Sequence, residues 1–279
     1  KQVTRLGKKA GGQAVIDPAL LELVTALVEK PHAVLGNFDP AFLKVPQEAL
    51  ISSMRDHQKY FHVVDAKGAL LPAFITVSNI RSRTPARVRT GNERVLNARL
   101  ADAKFFWETD AIRPLSARTE ALKNVLFHHA LGSLAGKTRR IEKLSAKIAQ
   151  AVAAPAAACV RAASLCKADL VSGMVGEFPD LQGIMGRYLA RHDGEPTAVA
   201  RAIEEHYLPR HAGGALPQSP AGQVLALADR LDSLVGLFIA GEEPTGEKDP
   251  YGLRRAALGV IRILVEKKLD LNVAALVED

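Results

Sequence analysis

Two carboxylates, Asp229 and Asp232, stand three residues apart in the stretch LALADRLDSLVG (225–236). On a helix that spacing makes them neighbours, and such a pair is either part of a hard-metal site with an activated water or a solvated helix face. With Leu231 at the centre of the apolar stripe, Asp232 falls about 100° and Asp229 about 160° away, so periodicity alone puts both, with Arg230, on the wet side. A metal site also needs imidazoles, and no histidine occurs between His129 and His192. The one His-Asp dipeptide, His192-Asp193, runs into Gly194 and Pro196 and reads as a turn without the rigid support of a ligand. Cys159 and Cys166 are seven residues apart in a helical pattern, about 10.5 Å along an axis, too far for a disulfide. They are expected to be buried, reduced thiols.

Cationic residues form three clusters. Arg81, Arg83, Arg87 and Arg89 lie in RSRTPARVR (81–89), a Pro-containing segment expected to be a loop, with no acidic residue between them. Lys137, Arg139 and Arg140 stand at an expected helix start, where cations oppose the macrodipole unless an anion is bound. Arg254 and Arg255, with Arg262, lie on a helix for which Asp249 is the expected N-cap and Pro250 the first residue. Each cluster suits the phosphates and 2′-hydroxyls of A-form RNA, and each also has a plain structural reading as solvated surface or as partners of Asp232 and Glu266. A net charge of +7 and a pI near 9.5 suit a polyanion partner without requiring one. Trp107, with Phe105 and Phe106, is expected to pack in a core or domain interface. The set His57, Gln58, Lys59 and Tyr60 would line a pocket or meet RNA.

The elements that must position these groups change character near residue 110. Residues 1–110 are α+β: a helix at 17–30 with Pro18 at its first turn, a hairpin of YFHVVD (60–65) and LLPAFITV (70–77), and a helix at 92–110 with Val95, Leu96, Leu100 and Ala103 in one stripe. Residues 111–279 are expected to be all-α, with helices at 116–131, 137–152, 156–175, 180–191, 197–206, 220–240 and 250–268. The expected fold class is therefore α+β and predominantly helical. No window of 18 uncharged apolar residues exists, so no membrane span is expected. The chain starts without methionine or a secretory leader and is read as part of a longer cytoplasmic polypeptide. No phosphate-binding loop motif or dinucleotide fingerprint occurs, and the paired glycines of GIMGR (183–187) read as helix packing or a turn.

ALADRLDSLVG resembles the last motif of HD-type phosphohydrolase domains, and VARAIEEHYLP (199–209) resembles their histidine-bearing helix. RAASLCKADLV (161–171) falls where their central His-Asp dyad belongs, but carries Ala168-Asp169. The resemblance implies an HD-like helical domain with a degenerate site at Lys167, Asp169, His206, Asp229 and Asp232, expected to hold no metal, in which Lys167 beside Asp169 gives an ion pair instead. The alternative is a metal-dependent phosphohydrolase.

Longer stretches are more specific. LISSMRDHQKYF (50–61), GNERVLNARLADAKFFWETD (91–110), KADLVSGMVGEFPDLQGIMGRYLA (167–190), AIEEHYLPR (202–210) and PTGEKDPYGLRRAALGVIRIL (244–264) resemble the β subunit of bacterial heterotetrameric glycyl-tRNA synthetase over most of 40–265. That implies an α2β2 glycine–tRNA ligase in which the α subunit carries catalysis, with its ATP and magnesium, and the β subunit binds and positions tRNA(Gly). The piece in hand would be a middle part: the end of an editing-type α/β module followed by the HD-like domain. It would have no catalytic residue or cofactor and no activity of its own.

Overall fold

Alternating apolar residues at 61–64 and 70–78 form β3 (Phe61–Val64) and β4 (Leu70–Ser78), an antiparallel pair. The Asp65 carboxylate accepts from the N–H groups of Lys67 and Ala69 to close the turn, and Gly68 there takes φ +82°. Pro72 cannot donate to a ladder, and the β3–β4 register shifts beside it. In the computed structural model, which describes residues 1–278, β1 (Gln13–Ala14) pairs with β3 and β2 (His32–Asn37) with β4, giving the order β1-β3-β4-β2. α1 (Gln2–Lys9) packs on this sheet, and α2 (Pro18–Leu27) buries Leu20 and Val24 against Phe61, Val63 and Ile75. The Asp17 carboxylate caps α2 through the Leu20 N–H, and Pro18 follows it, as its sequence predicts.

α3 (Gln47–Ser52) leads into a π-turn, Ser53–His57, ahead of β3. Tyr60 is buried, stacks on Phe74 with ring centroids 4.8 Å apart and donates to Asn92 Oδ1 at 2.6 Å. Lys59 is turned back onto the carbonyl of Asp56 at 2.6 Å, so half of the set His57 to Tyr60 is spent inside the fold. α4 (Pro85–Ile112) begins well before the expected residue 92, so Arg87 and Arg89 lie on helix rather than in a loop. Leu96, Leu100 and Ala103 form its buried stripe, while Val95, one position off that period, is 47% exposed.

The chain divides into two units, Lys1–Thr109 and Asp110–Asp279. In the second, the expected helix 116–131 is replaced by α5 (Leu115–Arg118), a 3₁₀ segment (Thr119–Asn124) and a small hairpin, β5 (Leu126–His128) with β6 (Gly132–Ser133). Gly132 takes φ +81° in the hairpin turn, a conformation that ends helix, and His128 is buried with its Nε2 3.1 Å from Glu242. α6 (Leu134–Ala151) is capped by Ser133.

The expected helix 156–175 is split into α7 (Ala156–Leu165), a 3₁₀ turn (Ala168–Val171) and α8 (Gly173–Glu177). The split occurs because Ser172 and the buried Asp110 carboxylate together cap α8, taking the N–H groups of Val175, Gly173 and Met174. α9 (Ile184–His192) and α10 (Thr197–Glu205) lead to α11 (Pro220–Ile239), which packs against α6, α7, α10 and α12 (Leu253–Glu266). The Asp249 side chain reaches the Leu253 and Arg254 N–H groups, so α12 starts at Leu253 instead of Pro250. A last helix, α13, covers Val273–Glu278. Val224 to Ala228 are five consecutive buried residues, which makes the first half of α11 a central helix without a wet face. The fold is α+β and predominantly helical.

Candidate functional site

Because α11 is surrounded, Asp229 and Asp232 point into the helical unit instead of solvent, correcting the amphipathic reading. Their side chains are only 16% and 4% exposed. Two buried lysines meet them. Lys137, from the first turn of α6, donates to Asp232 Oδ2 at 2.9 Å and to Ser233 Oγ at 2.7 Å. It also lies 3.0 Å from Asp229 Oδ1, though out of line for a hydrogen bond. Lys167, from the turn that joins α7 to the 3₁₀ segment, donates to Asp229 Oδ2 at 2.8 Å and to His206 Nε2 at 2.9 Å. Arg140, one turn along from Lys137, completes Asp232 at 2.6 Å.

His206 is fully buried, and its Nδ1 lies 2.6 Å from the Ile203 carbonyl, so Nδ1 carries the proton and Nε2 accepts from the ammonium. Burial first, and the Lys167 charge second, hold His206 well below the usual imidazole value, keeping it neutral. Burial alone would raise Asp229, but Lys137 and Lys167 on either side hold it well below the usual carboxylate range.

Asp169 turns away from its neighbour Lys167. Its Oδ2 accepts from the N–H groups of Gly183 at 2.6 Å and Gly186 at 3.0 Å. Gly183 takes φ +82°, and a Cβ on Gly186 would lie 3.0 Å from that same oxygen, so the paired glycines of 183–187 cradle an internal carboxylate. Burial pushes Asp169 up to about 6 despite those two donors. Burial likewise raises Cys159 to about 11 and Cys166 to about 12, so both free thiols are protonated and unreactive at neutral pH.

This donor set does not fit a divalent metal. A carboxylate and a neutral imidazole nitrogen converge, as a metal would ask, but the cation they hold is the Lys167 ammonium, with Lys137 on the far side of Asp229. A second cation placed among them would meet two ammonium groups at contact distance. Among the described residues, no group of three or more His, Cys, Asp or Glu side chains is arranged to hold a metal ion. His192 and Asp193 end α9, where Asp193 accepts from the Leu115 N–H at 2.6 Å, a structural bond.

The cationic clusters divide. Lys137 is not available to a phosphate: the anion that offsets its place at a helix start is the Asp229–Asp232 pair. Arg140 is half committed to Asp232, and Arg139 is exposed. Arg81, Arg83 and Arg87 are exposed and have no ion-pair partner among the described residues, and Arg89 lies 4.0 Å from Glu93. Arg94 and Arg99, which the sequence reading passed over, extend this set along the exposed face of α4. Their signal was present: α4 is one continuous helix, and Arg94 repeats Arg87 after two turns. Arg254 donates to the Thr245 carbonyl and Arg262 pairs with Glu266 at 2.7 Å, whereas Arg255 is exposed.

The fold and the site define a two-unit chain: a small α+β unit followed by a helical unit built around a buried lysine–carboxylate cluster, in which ammonium groups hold the carboxylates. A family model described as the glycyl-tRNA synthetase beta subunit matches residues 1–279. The chain belongs to the glycyl-tRNA synthetase beta subunit family. It is 56% identical over 265 residues to the glycine–tRNA ligase beta subunit of Chromohalobacter salexigens, covering 95% of this chain and 38% of that one. Against the corresponding subunits of Hahella chejuensis and Pseudomonas entomophila it is 54% and 52% identical over 278 residues, covering all of this chain and 40% and 41% of theirs. The chain thus spans about two fifths of the length of these curated relatives.

Proposed function

We propose that this chain is the section of a glycine–tRNA ligase β subunit that binds and positions tRNA(Gly), in the cytoplasm, for ATP-dependent glycylation carried out with a separate α subunit. ATP and its magnesium would be used in the α subunit, consistent with a cluster here whose cation positions are filled by lysines. The observation that carries the RNA part is the run Arg81, Arg83 and Arg87: three exposed guanidinium groups within seven positions, without an ion-pair partner among the described residues. Guanidinium groups left to solvent in such density suit phosphate oxygens, which they bind bidentately.

The test is tRNA(Gly) binding by the full-length chain across a salt series. Replacing Arg81, Arg83 and Arg87 together by alanine is expected to lower the slope of log affinity against log salt by roughly two to three. Arg161→Ala, which removes an arginine already paired with Glu195, should leave the slope alone. Affinity of the wild-type chain that does not change with salt would overturn the reading.

A further inference from the structure

Beside the lysine cluster, and opening over Asp229 and His206, lies a cavity of about 450 Å³. Its wall takes Arg210 from the loop after α10, Arg230 from α11 and Arg255 from α12, with Tyr207 and Tyr251 flanking them. We propose that this cavity is a binding site for a phosphate monoester of nucleotide size, which it holds without cleaving.

The charge around it is unbalanced. Beneath the cavity, Lys137, Arg140 and Lys167 meet Asp229 and Asp232, and the third buried carboxylate, Asp169, is held by backbone N–H groups, so the three cations and three carboxylates balance in number. The wall adds three guanidinium groups and returns one carboxylate, Asp180, an excess of two positive charges. Neither of the two anchored arginines is neutralised by its anchors. Arg210 donates to the carbonyls of Asp180 and Gln182, and Arg230 to those of Ala226, His206, Tyr207 and Pro209. Their geometry is set by neutral acceptors and their charge is left to the cavity. Arg255 has neither an ion pair nor a side-chain hydrogen bond among the described residues, and it folds against Gly252, where a Cβ would come within 2.8 Å of its Nη2.

Arg230 spends all four of its terminal N–H groups on carbonyls and adds charge alone, whereas Arg210 keeps one free N–H on each terminal nitrogen and Arg255 keeps its whole fork. Such donors beside uncompensated charge suit a phosphate, whose oxygens accept in pairs, and tyrosine rings beside them suit a nucleoside face. The volume is within the range of small-ligand pockets. Cleavage is not expected, because the place over Asp229 from which a metal would activate water is filled by the Lys167 ammonium.

Two sources share this chemistry: a free nucleoside monophosphate and the 5′-phosphate end of an RNA. Calorimetric titration of the full-length chain with AMP, inorganic phosphate and adenosine tests the site. AMP is expected to bind, phosphate to compete with it, and adenosine to bind at least about tenfold more weakly. Arg255→Met and Arg210→Met should each weaken AMP by about tenfold with an unchanged melting transition, while Arg139→Ala, outside the cavity, should have no effect.

A short RNA hairpin with a 5′-phosphate that displaces AMP, where its 5′-hydroxyl form does not, assigns the site to an RNA end. If neither hairpin displaces AMP, the occupant is the free nucleotide. No AMP binding by the wild type, equal binding by the Arg210→Met, Arg255→Met double variant, or displacement by both hairpins alike overturns the proposal. Loss of tRNA binding on replacing Arg81, Arg83 and Arg87, with AMP binding kept, would leave it standing.

Discussion

Asp169 and His206 flank Lys167 but respond to pH in opposite directions. The folded pKa of Asp169 is raised to about 6, so its contribution to stability is fully present below its ordinary value near 4 and is lost as pH rises through 6. His206 is depressed, so its contribution is present above the ordinary imidazole value near 6.5 and is lost as pH falls below it. Each slope is about 1.4 kcal/mol per pH unit, and between pH 4 and 6 they oppose. Asp169→Asn, which keeps an acceptor for the Gly183 and Gly186 N–H groups, is expected to expose the histidine slope, losing stability relative to wild type as pH drops from 6 to 4. His206→Gln should show the reverse. Urea unfolding at pH 4, 5 and 6 measures both, and parallel curves for the two variants would contradict the assignment. Sequence pointed to a lysine in place of a metal but gave it the wrong carboxylate. Residues two apart on a tight turn diverge, so Lys167 reaches Asp229 on another helix while Asp169 turns to a glycine pair.

Between elements, the α6–α11 junction rests on two cations that differ in exposure. The Lys137 side chain is 4% exposed and the Arg140 side chain 41%, although both bind Asp232. Removing one partner of a buried ion pair costs about 3–5 kcal/mol, whereas a pair open to water contributes about 1 kcal/mol or less. Lys137→Met is therefore expected to destabilise the helical unit by about 3 kcal/mol and Arg140→Ala by less than about 1 kcal/mol, read from denaturant midpoints. Equal losses would mean that the carboxylates are not shielded as their burial implies. Most helices here were legible because caps such as Asp17, Ser133 and Ser219 are local. The faces they bury were less so. α11 is enclosed by its neighbours α10 and α12 and by α6 and α7, which are distant in sequence, and nothing within 220–240 states that its polar residues have partners at 137, 140 and 167. The hairpin at 126–133 was hidden for a related reason: its apolar spacing passes for helix, and only Gly132 marks the turn.

For the whole molecule, the question is whether the excess of positive charge acts as a total or as a pattern. The +7 balance was visible in the composition, and the family from long motifs, but composition does not say which cations are spent internally. Lys137 and Lys167 are consumed by the buried carboxylates of the helical unit, and Arg161, Arg187 and Arg262 by surface carboxylates. Arg81, Arg83 and Arg87 keep their charge for solvent within one short stretch. Replacing these three by alanine lowers the net charge from +7 to +4, and so does replacing Arg5, Lys123 and Lys248, which are exposed but scattered. Long-range attraction to a polyanion is screened within about 10 Å at 0.1 M salt, so beyond that distance only locally dense charge holds a phosphate chain. The clustered variant is therefore expected to elute from a heparin column at clearly lower salt than wild type, and the scattered variant close to it. If the two variants elute together, total charge governs, and the arginine run has no special part in binding.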